Sequence, residues 1–160
     1  MKVLLALVLA AAPLAAQDIG LPLGTTPPAA QVQDTAGNAV DLSRFVGTKP
    51  VLVEFWATWC PLCAALLPKM EAARRAYGDR VEFVIVGVGV NQSLASIRRH
   101  LARHPMPGEV FFDATGAAVR AYAAPSTSYV VVLDAQGRVA YTGSGEDQDI
   151  DAAVRRALSR

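Results

Sequence analysis

Two apolar runs dominate the middle of the chain, Val51-Leu52-Val53-Glu54-Phe55-Trp56 and residues 81–90. Apolar runs of this kind predict strands covered on both faces, and the second is the natural parallel partner of the first. Between them, residues 64–76 carry Met70 and Ala73 at helical spacing, continued by Tyr77, and Arg74-Arg75 before Gly78 give a stop signal. Pro68 removes one backbone bond there and predicts a kink. Upstream, residues 31–33 and 39–42 flank the turn Asp34-Thr35-Ala36-Gly37-Asn38 and predict a hairpin, followed by one helical turn over 43–46. Downstream, Asn91 or Ser93 caps a helix reaching about Arg103, which Pro105-Met106-Pro107-Gly108 ends. A short strand at 110–113, a short helix at 117–122 and a hairpin of 129–134 with 138–142 come next. A terminal helix over 147–158 aligns Ile150, Val154 and Leu158 on one face. This order predicts an α/β sandwich around a mixed sheet.

The N-terminal segment changes the compartment. Lys2, an apolar stretch over 3–12, Pro13 and then Leu14-Ala15-Ala16 read as a secretory signal cleaved after Ala16. The stretch is too short for an ordinary membrane-spanning helix, and no span is read in the rest of the chain. Residues 1–16 are thus a leader, 17–28 an extended lead-in and 29–160 the folded domain. The expected location is across the cytoplasmic membrane, a periplasm where the cell has one. The formal charge is +1, and loss of Lys2 with the leader leaves 14 basic against 14 acidic residues. No basic stripe interleaved with aromatics is present, so nucleic acid is not an expected partner.

The chemistry lies at Trp59-Cys60-Pro61-Leu62-Cys63, where a buried strand ends and a helix begins. Helix N-termini present free N–H groups and the positive end of the macrodipole, which lowers a thiol pKa. Pro61 suits the first turn, where a missing N–H costs nothing. Cys63 lies one turn along, within reach of a short disulfide. Cys60 is therefore the candidate nucleophile and Cys63 the resolving thiol. A passive disulfide over so small a loop would add little stability. A zinc site needs two more ligands, and these are the only two cysteines. His100 and His104, beside Arg98, Arg99 and Arg103, read as a solvated basic face, so no metal ligands are assigned. Trp59 is expected to shape the partner surface and Trp56 to enter the core. Glu54, a carboxylate in an apolar strand, should have a raised pKa.

Residues 51–63 resemble the active-site segment of the thioredoxin superfamily. The run Phe55-Trp56-Ala57-Thr58-Trp59-Cys60 is similar to the extracytoplasmic TlpA/ResA-like thiol-disulfide oxidoreductases, and the similarity extends from about Leu23 to the C-terminus. The resemblance implies a thioredoxin fold with a mixed central sheet, flanking helices and an N-terminal β-hairpin extension. It implies dithiol–disulfide exchange with protein partners, no bound cofactor, and re-reduction by a membrane-bound electron donor. Glu54 stands where thioredoxins carry a buried aspartate that assists proton transfer to the second cysteine. That makes it the expected acid/base for Cys63; a strand-end glutamate reaching solvent is the alternative.

Three positions depart from the resemblance. Leu62 stands where relatives often have proline, and it lies with Pro61 between the cysteines that set the potential. Leu66 replaces a glutamate that some relatives carry at the partner cleft. Aligned through Tyr122 and Asp134, Thr127-Ser128 occupies the threonine–cis-proline step that faces the cysteines, so Ser128 replaces the proline. A shifted alignment would use Pro125 instead. A cis bond before serine costs about 2.5–4 kcal/mol, so either a trans bond or a cis bond held by its surroundings is expected. The Ser128 hydroxyl is expected to meet a substrate backbone or the sulfur itself. With Trp59, Pro61, Leu62 and Thr127 it completes the expected substrate-binding set. The leading reading is a reductase of extracytoplasmic protein disulfides. The alternatives are an oxidant of substrate thiols, a Cu(I) chaperone holding the ion through Cys60 and Cys63, and an interaction domain with an inert disulfide.

Overall fold

The run at 51–56 becomes the spine of the sheet because every one of its side chains is covered. In a computed structural model that describes residues 20–160, β3 (Val51–Trp56) is buried at all six positions. On one side β4 (Glu82–Val88) runs parallel to it, with Val51 opposite Glu82 and Trp56 opposite Gly87. The crossover between them contains α1 (Pro61–Tyr77), which continues through Pro68. On the other side β6 (Tyr129–Leu133) runs antiparallel, with Phe55 opposite Tyr129. With β1 (Gln31–Asp34), β2 (Ala39–Asp41), β5 (Glu109–Asp113) and β7 (Val139–Gly143), the seven strands take the order β2-β1-β5-β4-β3-β6-β7. This is the mixed sheet expected.

The N-terminal hairpin extends the sheet by pairing β1 antiparallel to β5. At the opposite edge the lead-in covers β7: the Gly24 N–H donates to the Val139 carbonyl and the Val139 N–H to the Thr25 carbonyl. Helix α2 (Leu94–Leu101) starts at Ser93, whose hydroxyl accepts from the Ser96 N–H while Ser96 reaches back to the Ser93 N–H. Helix α3 (Ala117–Ala121) packs on β1 and β5. Helix α4 (Ile150–Leu158) packs on α1, β6 and β7. It starts three residues later than its periodicity suggests. Asp149 caps it by accepting from the Ala152 N–H, and Gln148 is drawn away to hydrogen-bond the Ser128 carbonyl. The expected leader lies outside the described residues.

One core position breaks the apolar rule. Glu54 is 1 % exposed, and neither of its carboxyl oxygens has a hydrogen-bond partner among the described residues. Burial therefore disfavours its charged form and pushes the carboxyl up to about 8. The alternative of a glutamate reaching solvent is not what β3 contains. Below the ordinary value of 4.5 both native and unfolded chains hold this proton. Between there and about 8 the unfolded chain releases it while the native chain keeps it. Stability therefore falls as pH rises through that window. Glu54→Gln should be nearly neutral for the oxidised protein at pH ~4 and stabilising by a few kcal/mol at pH ~8.5 in urea unfolding. An equal difference at both pH values would show that the native carboxyl does not hold its proton.

Candidate active site at the Cys60–Cys63 disulfide

The junction between β3 and α1 is built around Cys60 as the cap of its own helix. Its backbone is extended, with φ −87° and ψ 107°, and its sulfur accepts the Cys63 N–H at 3.1 Å. Its carbonyl accepts the Ala64 N–H, and Pro61 occupies the first turn, where a donor would have no partner. The two cysteines form a disulfide with Cα atoms 5.3 Å apart. Cys60 is 5 % exposed and Cys63 2 %. On reduction, the Cys60 sulfur faces the N–H of Cys63 and the positive end of α1, an arrangement that favours its thiolate.

The approach to this helix is clamped by a residue the sequence did not flag. Gln92, just beyond β4, accepts from the Thr58 N–H at 3.0 Å. Its amide donates to the Val88 carbonyl at 2.6 Å and to the Trp56 carbonyl at 3.4 Å. Beside it, the Trp59 indole N–H donates to the Val90 carbonyl at 2.9 Å. A glutamine in a polar loop carries no sequence signal for such a role, because its partners are backbone groups 34 and 36 residues away.

Two depressions lie near the β3–α1 junction. The first, of about 320 Å³, is lined by Trp59, Val88, Val90, Val119, Pro125 and Thr127 among others. Trp59 is 46 % exposed, and Leu62 and Pro61 are also exposed beside the buried sulfurs. The second, of about 220 Å³, includes Trp56, Cys60, Cys63, His100, His104 and Met106 in its lining. Two histidines read as part of a solvated basic face thus border the cysteines. The His100 ring packs edge-on against Trp56 with centroids 5.1 Å apart, and His104 lies 4.8 Å from His100. The i,i+4 spacing put the pair on one helical face, but only the docking of α2 beside α1 decides which side that face meets. Among the described residues no group of three or more His, Cys, Asp or Glu is arranged to hold a metal ion.

Thr127 and Ser128 reach the same end of β3, since the Ser128 N–H donates to the Phe55 carbonyl at 2.8 Å. The described residues contain no cis peptide bond; Ser128 instead adopts a left-handed backbone, φ 60°. Its side chain departs from expectation. Ser128 is fully buried, its hydroxyl accepts the Gly145 N–H at 3.1 Å, and its carbonyl accepts from Gln148 at 2.9 Å. The hydroxyl is turned into the protein toward the loop after β7 rather than presented to a partner. Leu66, aligned with a cleft residue of relatives, is fully buried in the core. Glu54 and Trp56 lie two residues apart on β3, hence on one sheet face, and Trp56 borders the depression with the cysteines.

A family model described as Redoxin matches residues 22–158. The thiol-disulfide oxidoreductase ResA of Halalkalibacterium halodurans is 24 % identical over 124 residues, 75 % of this chain and 68 % of its own. A homolog of the thiol:disulfide interchange protein TxlA from Synechocystis is 35 % identical over 71 residues, 44 % of this chain and only 39 % of its own. The chain thus spans well under half of that second relative. Among solved structures, the thioredoxin domain of a thiol-disulfide oxidoreductase from Bacteroides vulgatus shares the fold with a TM-score of 0.72 at 19 % identity, covering 86 % of this chain and 99 % of its own. The sheet order, the disulfide at the start of α1 and the extent of the family match converge: the chain belongs to the Redoxin family and has the thioredoxin-like fold of the thiol-disulfide oxidoreductases.

Proposed function

We propose that the protein reduces disulfides of extracytoplasmic proteins by exchanging them with its Cys60–Cys63 pair. The observation that carries this reading is the disulfide at the α1 N-terminus, with the Cys63 N–H aimed at the Cys60 sulfur. In the reduced protein the Cys60 thiolate attacks a partner disulfide. One Cys60–partner S–S bond forms, the partner's bond breaks, and the first partner sulfur leaves. Cys63 then loses its proton and attacks the Cys60 sulfur, closing the intramolecular disulfide and releasing the second partner sulfur. The partner gains two electrons and two protons, and this protein loses them. A dithiol donor returns the electrons; a membrane-bound donor and an extracytoplasmic setting rest on the resemblance and on the leader read at residues 1–16.

Trp59, Pro61 and Leu62 offer an exposed, mostly apolar rim on which a partner backbone can rest, and Thr127 borders the neighbouring groove. Ser128 contributes as the buried support of that wall. Glu54, whose carboxyl burial pushes up to about 8, serves as the proton acceptor for Cys63 through its ionised fraction, which grows as pH rises toward that value.

A redox titration of Cys60–Cys63 in glutathione and dithiothreitol buffers tests the direction. A reductant should titrate near thioredoxin's potential, about −270 mV; a value near about −120 mV would make the protein an oxidant and overturn the reductase assignment. Cys63→Ser should accumulate a mixed disulfide with a reducible protein such as insulin, and Cys60→Ser should not. The reverse pattern would exchange the two roles. Glu54→Gln should slow release from the mixed disulfide roughly ten- to a hundredfold in stopped-flow measurements and flatten its pH profile. An unchanged rate across pH would remove Glu54 from the reaction.

A further inference from the structure

Helix α1 supplies no cation to its own cysteines. Every residue from Pro61 to Pro68 is uncharged, and Lys69 is the first ionic side chain on the helix. The thiolates formed on reduction therefore look elsewhere for a counter-charge. Apart from the cysteines, the titratable side chains lining the depression beside them are His100 and His104. His100 belongs to the last turns of α2, and His104 lies just past its end. Their ring centroids are 4.8 Å apart, and His100 packs on Trp56 with centroids 5.1 Å apart.

Resting on the redox cycle proposed above, we infer that the His100–His104 pair is the proton-accepting partner of the cysteines: reduction of the Cys60–Cys63 disulfide moves a proton onto this imidazole pair and leaves a thiolate beside it. In the oxidised protein neither sulfur carries charge. Burial, then His104 and Arg103, hold His100 below its ordinary value, so it is neutral at pH 7. When a partner dithiol reduces the disulfide, two electrons and two protons arrive and the dithiol is left as a disulfide. One proton stays on a sulfur. The other settles on an imidazole, because a neighbouring thiolate now offsets the repulsion from Arg103.

The groups around the pair fit this assignment. Arg103 on the segment after α2 opposes protonation until the thiolate forms. Met106, in the loop that follows, also lines the depression and is uncharged. From α1 come only the cysteines, Ala64 and Leu67, and from β3 and its following loop Trp56, Ala57 and Thr58. The remaining acid on that sheet face, Glu54, is mostly protonated at neutral pH and brings little negative charge there, its ionised fraction growing toward about 8. The pair therefore acts on thiolate formation, while Glu54 serves the later deprotonation of Cys63. Linkage makes the effect reciprocal: the imidazole pKa rises on reduction as far as the thiol pKa falls.

The test uses the full domain in both redox states. The two histidine Hε1 resonances are titrated by NMR in the oxidised protein and again in dithiothreitol. At least one imidazole pKa should rise by about one pH unit or more on reduction. In parallel, iodoacetamide alkylation of Cys60 is followed against pH in the reduced protein and in the double variant His100→Gln/His104→Gln. The variant should alkylate about tenfold more slowly near pH 6.5 and at the wild-type rate near pH 10, where the thiol ionises unaided. His104→Lys, which keeps a cation, should recover part of the loss. An imidazole pKa that does not change on reduction overturns the inference whatever the variants do, as does equal slowing at both pH values, which marks a structural role. Neither readout needs a protein substrate. Failure to reduce insulin with the imidazole shift intact would sink the exchange function alone.

Discussion

The hydrogen bond from the Cys63 N–H to the Cys60 sulfur depends on β3 ending where it does, and most of the molecule is arranged to make it end there. β3 is locked in register by β4 on one side and β6 on the other, and the last of its residues, Trp56, is still paired. The chain then has only Ala57, Thr58 and Trp59 before it must enter α1. Gln92 fixes this short passage by accepting from the Thr58 N–H and donating to the Trp56 carbonyl, while its bond to the Val88 carbonyl ties it to the end of β4. A loose passage would let the sulfur swing off the helix axis, where the N–H and the dipole no longer act on it.

The wall facing that junction is held at some conformational cost. Ser128 sits in the left-handed region, which costs a non-glycine residue about 1–2 kcal/mol. Its N–H, hydroxyl and carbonyl are each engaged, by Phe55, Gly145 and Gln148 respectively. Three hydrogen bonds in a buried setting are enough to hold such a conformation. Gln148 also bonds the Gly145 carbonyl and accepts from Tyr141, so the loop before α4 and the step before β6 form one unit. The serine thus works as a brace between loops where its alignment suggested a contact with substrate.

In the proposed cycle, protons around the sulfurs are handled from two sides with opposite chemistry. On the sheet face lies Glu54, an acid whose burial favours its protonated form. Across the depression lies the histidine pair, in which burial and nearby positive charge hold His100 below its ordinary value. An acid raised by desolvation and a base lowered by it bracket neutral pH, where thiol exchange must make and unmake thiolates.

The sequence by itself determined the strands, the helices and the cysteine pair, because each is written in local signals. The apolar runs at 51–56 and 81–90 could be satisfied only by burial on both faces, and Ser93, Gly78 and Pro61 mark helix ends by their own backbone chemistry. Glu54 was also legible, since a carboxylate inside an apolar strand stands out without any structure. The tertiary structure alone decided the rest. Gln92 and Gln148 act through backbone groups distant in sequence, and no periodicity reports such contacts. The direction of the Ser128 hydroxyl follows from where the loop after β7 passes. The basic face around His100 and His104 is largely solvated, as its helical spacing suggested, while only the packing of α2 beside α1 tells that the two imidazoles also border the cysteines.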